Sequence, residues 1–488
     1  MPWRVVDWHV ARRPKGALAR LLERASPFVT VTKDVGELSP WITWPTLHRG
    51  VYNTDHGLLF LNQDRACAAA YPPLWDVAAK AGKSVGVFGS LQSYPPTDGL
   101  PFAFFVPDTF APSPQTIPPR FECFQRFNLE RTRADGAIAS KVKLDARALR
   151  DLVGMARNGL RLATIVQLGA QLVLEKWDPL HRARRPMWQA PVAFDMFRNA
   201  YARETPDFAT FFTNHVAGIM HRYWKHAFPE DFGYALQGPR DRFHARSLGA
   251  AMDIVDAQLD WLMRTMEKRQ GILVVASSMG QEAIMREEAE AEVRITDAAA
   301  FVRATGFSGP FTQHLAMHPD FNFAFPTEAA ARNFSERLHR INELNGGNMI
   351  FRLTQAGPTV NCGLSKDDQT WVLSDRLIGL DESGAPHSLN FASAGLSLIK
   401  RDTGTGYHCP EGMMLWFDPL VAPARERRRI ESIEIAPMIL DAIGADRDEP
   451  VKIMPFRKPA RTPRRLPIPE SLRQAAASFI SLLGPIFG

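Results

Sequence analysis

Cysteine is scarce: only Cys67, Cys123, Cys362 and Cys409 occur in 488 residues, far apart and in no Cys-x-x-Cys pair. That pattern argues against a disulfide framework and a cysteine zinc site, and makes a reducing cytoplasm the expected setting. Long apolar runs are missing as well. The longest, Leu162 to Leu174, is interrupted by Gln167, Gly169 and Gln171, too short and too polar to span a bilayer. The opening residues Met1 to Asp7 show no charged stretch followed by an apolar one, so no export signal is expected. No internal repeat is visible. What is present is the balance of a globular chain, 45% apolar and 23% charged, which excludes a disordered or membrane-embedded class. The length suits one large α/β unit with insertions, or two domains.

The net charge of +6 sits in one place. From Lys452 onward seven basic residues face a single acid, Glu470, so the preceding chain is balanced. A neutral body gives no basic face for nucleic acid, and no nucleic-acid partner is expected. The tail from Lys452 to Pro469 holds Pro455, Pro459, Pro463, Pro467 and Pro469, spacing that rules out a helix or central strand. A short amphipathic helix with Leu472, Ala476, Phe479, Ile480 and Leu483 on one side is expected after it. Such an arm fits either peripheral contact with an anionic membrane surface or docking onto protein, its own body or a second subunit.

Short apolar runs alternate with longer helical patterns, which reads as α/β with a mainly parallel, doubly wound sheet. Strands are expected at Arg4–Trp8, Phe28–Thr32, Ser84–Gly89, Phe208–Val216 and Gly271–Ser277, and helical periodicity runs through Leu144–Trp177 and Ser247–Lys268. After about residue 285 the pattern changes. Thr327–Leu344 predicts one amphipathic helix among the strand-like runs Met349–Leu353, Thr370–Leu373 and Leu389–Ala394. The expected organisation is a core over 1–285, an inserted α+β cap over 286–402, a returning core segment over 403–450, and the arm over 451–488.

The segment Leu38-Ser-Pro-Trp-Ile-Thr-Trp-Pro-Thr-Leu-His-Arg-Gly50 carries most of the chemistry. Pro45 suits the first turn of a helix, which would place Thr43 at its entrance. A hydroxyl there lies beside unpaired N–H groups and the positive dipole end, favouring an alkoxide and holding phosphate oxygens. The plainer reading is that Thr43 or Thr46 caps the helix.

Thr43-Trp-Pro-Thr46, Arg49-Gly50 and Asp55-His56-Gly57 together resemble the nucleophile segment of the alkaline phosphatase superfamily, close to its type I phosphodiesterase and nucleotide pyrophosphatase branch. Gly86 to Pro96 with Val106 to Pro112, Phe211 to Trp224, Gly271 to Gln281 and Gly406 to Gly412 resemble further segments of that branch, in order. The resemblance implies an alkaline phosphatase-like core and hydrolysis or transfer at a phosphate diester, with two divalent ions about 4 Å apart. Position by position, one ion's ligands become Ala217, His221 and His408. The other's become Asp7, Thr43 and the pair Ser278-Met279. Serine and methionine are poor ligands for such an ion, so at most one divalent metal, with zinc the candidate, or none is expected.

The resulting expectations name Thr43 as nucleophile and His215 as a catalytic partner. Asp7, His221 and His408 surround any metal, and Asn214 and Thr46 contact substrate, an anionic phosphate-containing small molecule or glycan. The rival expectation is an inactive protein of this fold that binds an anionic ligand or partner, with His221 and His408 satisfied by hydrogen bonds. A third is a metal-independent transferase using His215 or His221 as base.

Overall fold

The computed structural model describes residues 1–135, 146–285, 291–314, 316, 320–345, 350–364, 376–400 and 404–445. The expected arm over 451–488 and the strand-like run Thr370–Leu373 lie outside these residues. The protein is mixed α/β, and among the described residues outside the expected cap there are two larger sheets and one two-stranded ribbon. One is parallel throughout, in the order Phe102–Val106, Val85–Phe88, Phe208–Phe211. In the other the order is Arg428–Glu431, Ser26–Val31, Glu411–Phe417, Leu273–Ala276. There Ser26–Val31 runs parallel to Arg428–Glu431 and antiparallel to Glu411–Phe417, which also pairs antiparallel with Leu273–Ala276. The single mainly parallel sheet read from the sequence is therefore two hydrogen-bonded sheets, one of them mixed. The antiparallel element, Gly412-Met-Met-Leu-Trp-Phe417, is a continuous apolar run, and periodicity alone does not identify such a run as a strand.

The expected strand Arg4–Trp8 is instead part of the helix Trp3–Arg12, which buries Trp3, Val5, Val6 and His9. Over five residues an apolar cluster fits either period, and the adjacent valines favour the wrong one. Phe208–Val216 is also split: the strand stops at Phe211 and a helix opens at His215. By contrast Ser247–Arg269 forms one helix as its spacing predicts, burying Leu248, Ala251, Met252, Leu259, Met263 and Met266. That face packs with Val5, Val6, Leu18, Leu21, Met220, Trp224 and Leu415 in one core.

Residues 291–400 carry a separate aromatic core. Phe301, Phe321, Phe323, Phe334 and Phe351 are all essentially inaccessible. Four antiparallel strands, in the order Phe351–Ala356, Thr359–Leu364, Asp320–Ala324, Thr312–His314, form the largest of its sheets among the described residues. The helix Glu328–Leu344, capped by the Thr327 hydroxyl, packs on it through Phe334, Leu338 and Ile341. Among the described residues no helix is long and apolar enough to cross a membrane.

Candidate functional site

Two imidazoles meet at a short ribbon. The strands Gly280–Ala283 and Gly406–Cys409 pair antiparallel with His408 opposite Gln281, which puts both side chains on one face of the ribbon. The helix His215–Ala227 delivers His221 to the same face, and its ring meets that of His408 edge-on, with centroids 4.8 Å apart. Each ring is fixed by a backbone carbonyl. His221 Nδ1 donates to Gly406 O at 2.8 Å, and His408 Nδ1 donates to Leu38 O at 2.7 Å. Carbonyls only accept, so in the neutral rings the lone pair lies on Nε2. At His221 that lone pair accepts the Gln281 amide at 2.8 Å. Tyr407 stands beside both rings, and its hydroxyl donates to Glu37, which also pairs with Arg352 from the 291–400 unit.

Thr43 comes to the same neighbourhood but is closed off. The helix runs from Pro40 to Arg49 with Ser39 at its N-cap, so Thr43 lies one turn inside and Pro45 sits within the helix rather than at its start. Pro40 has no N–H, and the N–H groups of Ile42 and Thr43 already reach Ser39 O, which leaves little of the anion-holding end expected there. The Thr43 hydroxyl donates to Ser39 O at 3.2 Å and shares a 2.8 Å hydrogen bond with Ser278. Its exposure is zero. Leu38 O holds His408 while Ser39 O holds Thr43, so the imidazole and hydroxyl are anchored to adjacent peptides.

Thr46, expected to touch substrate, is equally buried and belongs to a different network. Leu58 N–H donates to His56 Nδ1 at 3.0 Å, which puts the ring proton on Nε2. That nitrogen, 3.0 Å from the Thr46 hydroxyl, therefore donates to it, and Thr46 in turn donates to Asp34 at 2.7 Å. A base must accept from its nucleophile, so the polarity here is the reverse of a catalytic pair. Burial lowers His56 to about 4, keeping it neutral. Asp34 also accepts from Thr32 and from Asn53 N–H. Sequence reasoning missed Asp34. Its signal was its place just beyond the Phe28–Thr32 run, where a strand's C-terminal end presents side chains to a cleft.

The remaining expected residues do not join the pair. Asp7 projects from the Trp3–Arg12 helix, and Arg427 holds its exposed carboxylate, so it is not the strand-end ligand anticipated. His215 is buried and turned toward the Ser247–Arg269 helix, where its Nε2 donates to Ala251 O at 3.1 Å. Burial lowers it to about 4. Six residues along a helix rotate a side chain by about 240°, so His215 and His221 leave on different faces. Asn214 is the exposed N-cap of that helix, and seven residues separate it from His221 by about 10 Å of axial rise.

The donor set does not fit the expected metals. Among the described residues no group of three His, Cys, Asp or Glu side chains is placed to hold an ion. Ala217, Ser278 and Met279 stand at three expected ligand positions. Burial raises the Cys409 thiol to about 11, leaving it protonated at neutral pH. Glu282 neighbours Gln281 along the strand and so projects from the opposite face.

No protein-family profile matches the chain, and no curated protein does. Solved structures aligned to it include murine ectonucleotide pyrophosphatase/phosphodiesterase 5, as an inactive variant with AMP, at 10% identity and a TM-score of 0.36, covering 92% of this chain and 93% of that one. The same murine protein without that ligand gives 9%, 0.34, and coverage of 92% and 93%. The human protein gives 10%, 0.33, and coverage of 90% and 91%. At such identities and TM-scores the alignments establish neither a shared fold nor a shared chemistry.

Proposed function

We propose that the His221–His408 cleft, in a phosphodiesterase-like core capped by residues 286–402, binds a phosphate-bearing small molecule or glycan and does not hydrolyse it through a two-metal route. One observation carries this reading: the Thr43 hydroxyl has no exposed surface and is committed to Ser39 O and Ser278. A nucleophile must come within about 3.5 Å of the reacting atom. An oxyanion entering the half-buried cleft would meet His221 and His408 once they carry a proton on Nε2, while the buried Gln281 amide stays committed to His221 and Ala217 O.

A second reading is favoured by the fixed tautomers of the imidazole pair, since Nδ1–H bound to a carbonyl is how ligating histidines are oriented. In that reading His221 and His408 hold one divalent ion and Thr43 is the nucleophile of a phosphoesterase. The test compares wild type with Thr43→Ala, His221→Ala and His408→Ala on aryl phosphate mono- and diesters and in calorimetric titration with AMP. The binding reading expects AMP affinity to fall about tenfold or more in either histidine variant, with no hydrolysis that depends on Thr43. Diester turnover in wild type that Thr43→Ala abolishes would establish the second reading instead.

A further inference from the structure

Further along the histidine helix, past the His221–His408 pair, lies a cavity of about 990 Å³ that Gly404 and Thr405, just before the strand Gly406–Cys409, also line. Arg222, Lys225 and His226 leave the helix His215–Ala227 at spacings of three and four residues, which puts them along one face. The next helix, Gly238–Ala245, adds Arg240, Asp241 and His244. Tyr223, whose backbone departs from helical geometry, lays its ring flat on His244 with centroids 4.5 Å apart and planes 8° from parallel. Tyr234 forms a second aromatic wall, with the Lys225 ammonium 4.4 Å from its ring centre.

The charges of this cavity are unequal. Arg222, Lys225 and Arg240 face it, against one carboxylate, Asp241, which already accepts from the Tyr234 hydroxyl and from Gln237 N–H at 2.8 Å. Burial lowers His244 to about 4 and also lowers His226, so both imidazoles are neutral near pH 7. The His244 side chain is more than nine-tenths buried, and its Nδ1 has no hydrogen-bond partner among the described residues. Arginine forks with flanking aromatic faces suit phosphate on a ring-bearing molecule: guanidinium binds the oxygens bidentately and the rings cover the planar part.

We infer that this cavity is a second binding site, separate from the His221–His408 cleft, for a phosphate monoester carried on a cyclic group. The shared chemistry comes from two sources, a nucleoside monophosphate or a sugar phosphate. The inference does not rest on the cleft reading, because no cavity residue belongs to the imidazole pair.

The test uses the full chain with His221→Ala and His408→Ala together, which silences the cleft, and titrates AMP, ribose 5-phosphate and inorganic phosphate by calorimetry. Saturable binding of an ester, weakened about tenfold by Arg240→Ala and again by Arg222→Ala, is the expected result. Both arginines are exposed, so their removal leaves the fold intact, and a thermal melt checks this. A preference for AMP over ribose 5-phosphate of about tenfold assigns the nucleotide. Equal affinity for the two assigns the sugar phosphate. No saturable ester binding, or binding indifferent to both arginine changes, overturns the inference. If wild type binds AMP and the double histidine variant does not, the cleft reading survives and this one falls.

Discussion

The hydroxyls of Thr43 and Ser278 lie 2.8 Å apart and are both buried, a contact spanning 235 residues of sequence. The two small alcohols satisfy one another, and Ser39 O accepts the Thr43 proton.

Thr43→Val keeps the shape and removes one partner. The expected loss is about 1–3 kcal/mol of stability, because the Ser278 hydroxyl stays buried with one bond fewer. Adding Ser278→Ala should cost less than its own single effect, and urea unfolding of all four proteins measures the coupling. Losses additive to within about 0.5 kcal/mol would show that the pair does not act as one.

Zinc affinity should be weak in wild type and should rise with Ala217→Asp, which puts a carboxylate one helical turn before His221 and completes a three-ligand set with His408. The expected gain is about a hundredfold, read by competition with a chromogenic chelator. No gain would mean that the two rings cannot turn their Nε2 atoms toward a common ion.

Acid should weaken the fold before the carboxylates titrate. His48, His56 and His215 are buried neutral, lowered by desolvation to about 3, 4 and 4. In the unfolded chain each takes up a proton near 6.5. Between pH 6.5 and 4 the unfolded state therefore binds more protons, and stability falls by up to about 1.4 kcal/mol per pH unit for each ring. Asp108, raised to about 6 by burial, works in the opposite direction for a single proton. Urea midpoints from pH 7 to 5 should decline, and less steeply in His215→Gln. Identical slopes in the two proteins would contradict the burial of His215.

Asp7→Asn should change stability by no more than about 0.5 kcal/mol and leave ligand and zinc binding untouched, since the Asp7–Arg427 pair is solvent-exposed. A large loss of zinc or phosphate affinity would restore Asp7 to the site.

Much of the architecture was legible because it follows from periodicity. The Ser247–Arg269 and Glu328–Leu344 helices repeat apolar residues over several turns, and the Phe28 and Gly271 runs are short and bounded. Arg4–Trp8 was misread because five residues hold too little pattern. The two imidazoles were found only through an ordered resemblance, because His221 and His408 are joined by no local spacing. The direction of His215 was not legible at all. It depends on the rotation of a helix whose starting residue the sequence leaves open. Asp34 went unnoticed because a lone acid in a loop gives no periodic signal; only its distance from the end of a strand marks it.

The anchors of the cleft have a consequence for biogenesis. Leu38 and His408, like Glu37 and Tyr407, are 370 positions apart, and Glu37 and Arg352 are 315 apart. Closing loops of that length is slow, and contacts of this kind form only after the intervening chain has been made and ordered. On a ribosome the first three hundred residues would emerge before Arg352, Tyr407 and His408, the partners of Glu37 and Leu38, exist.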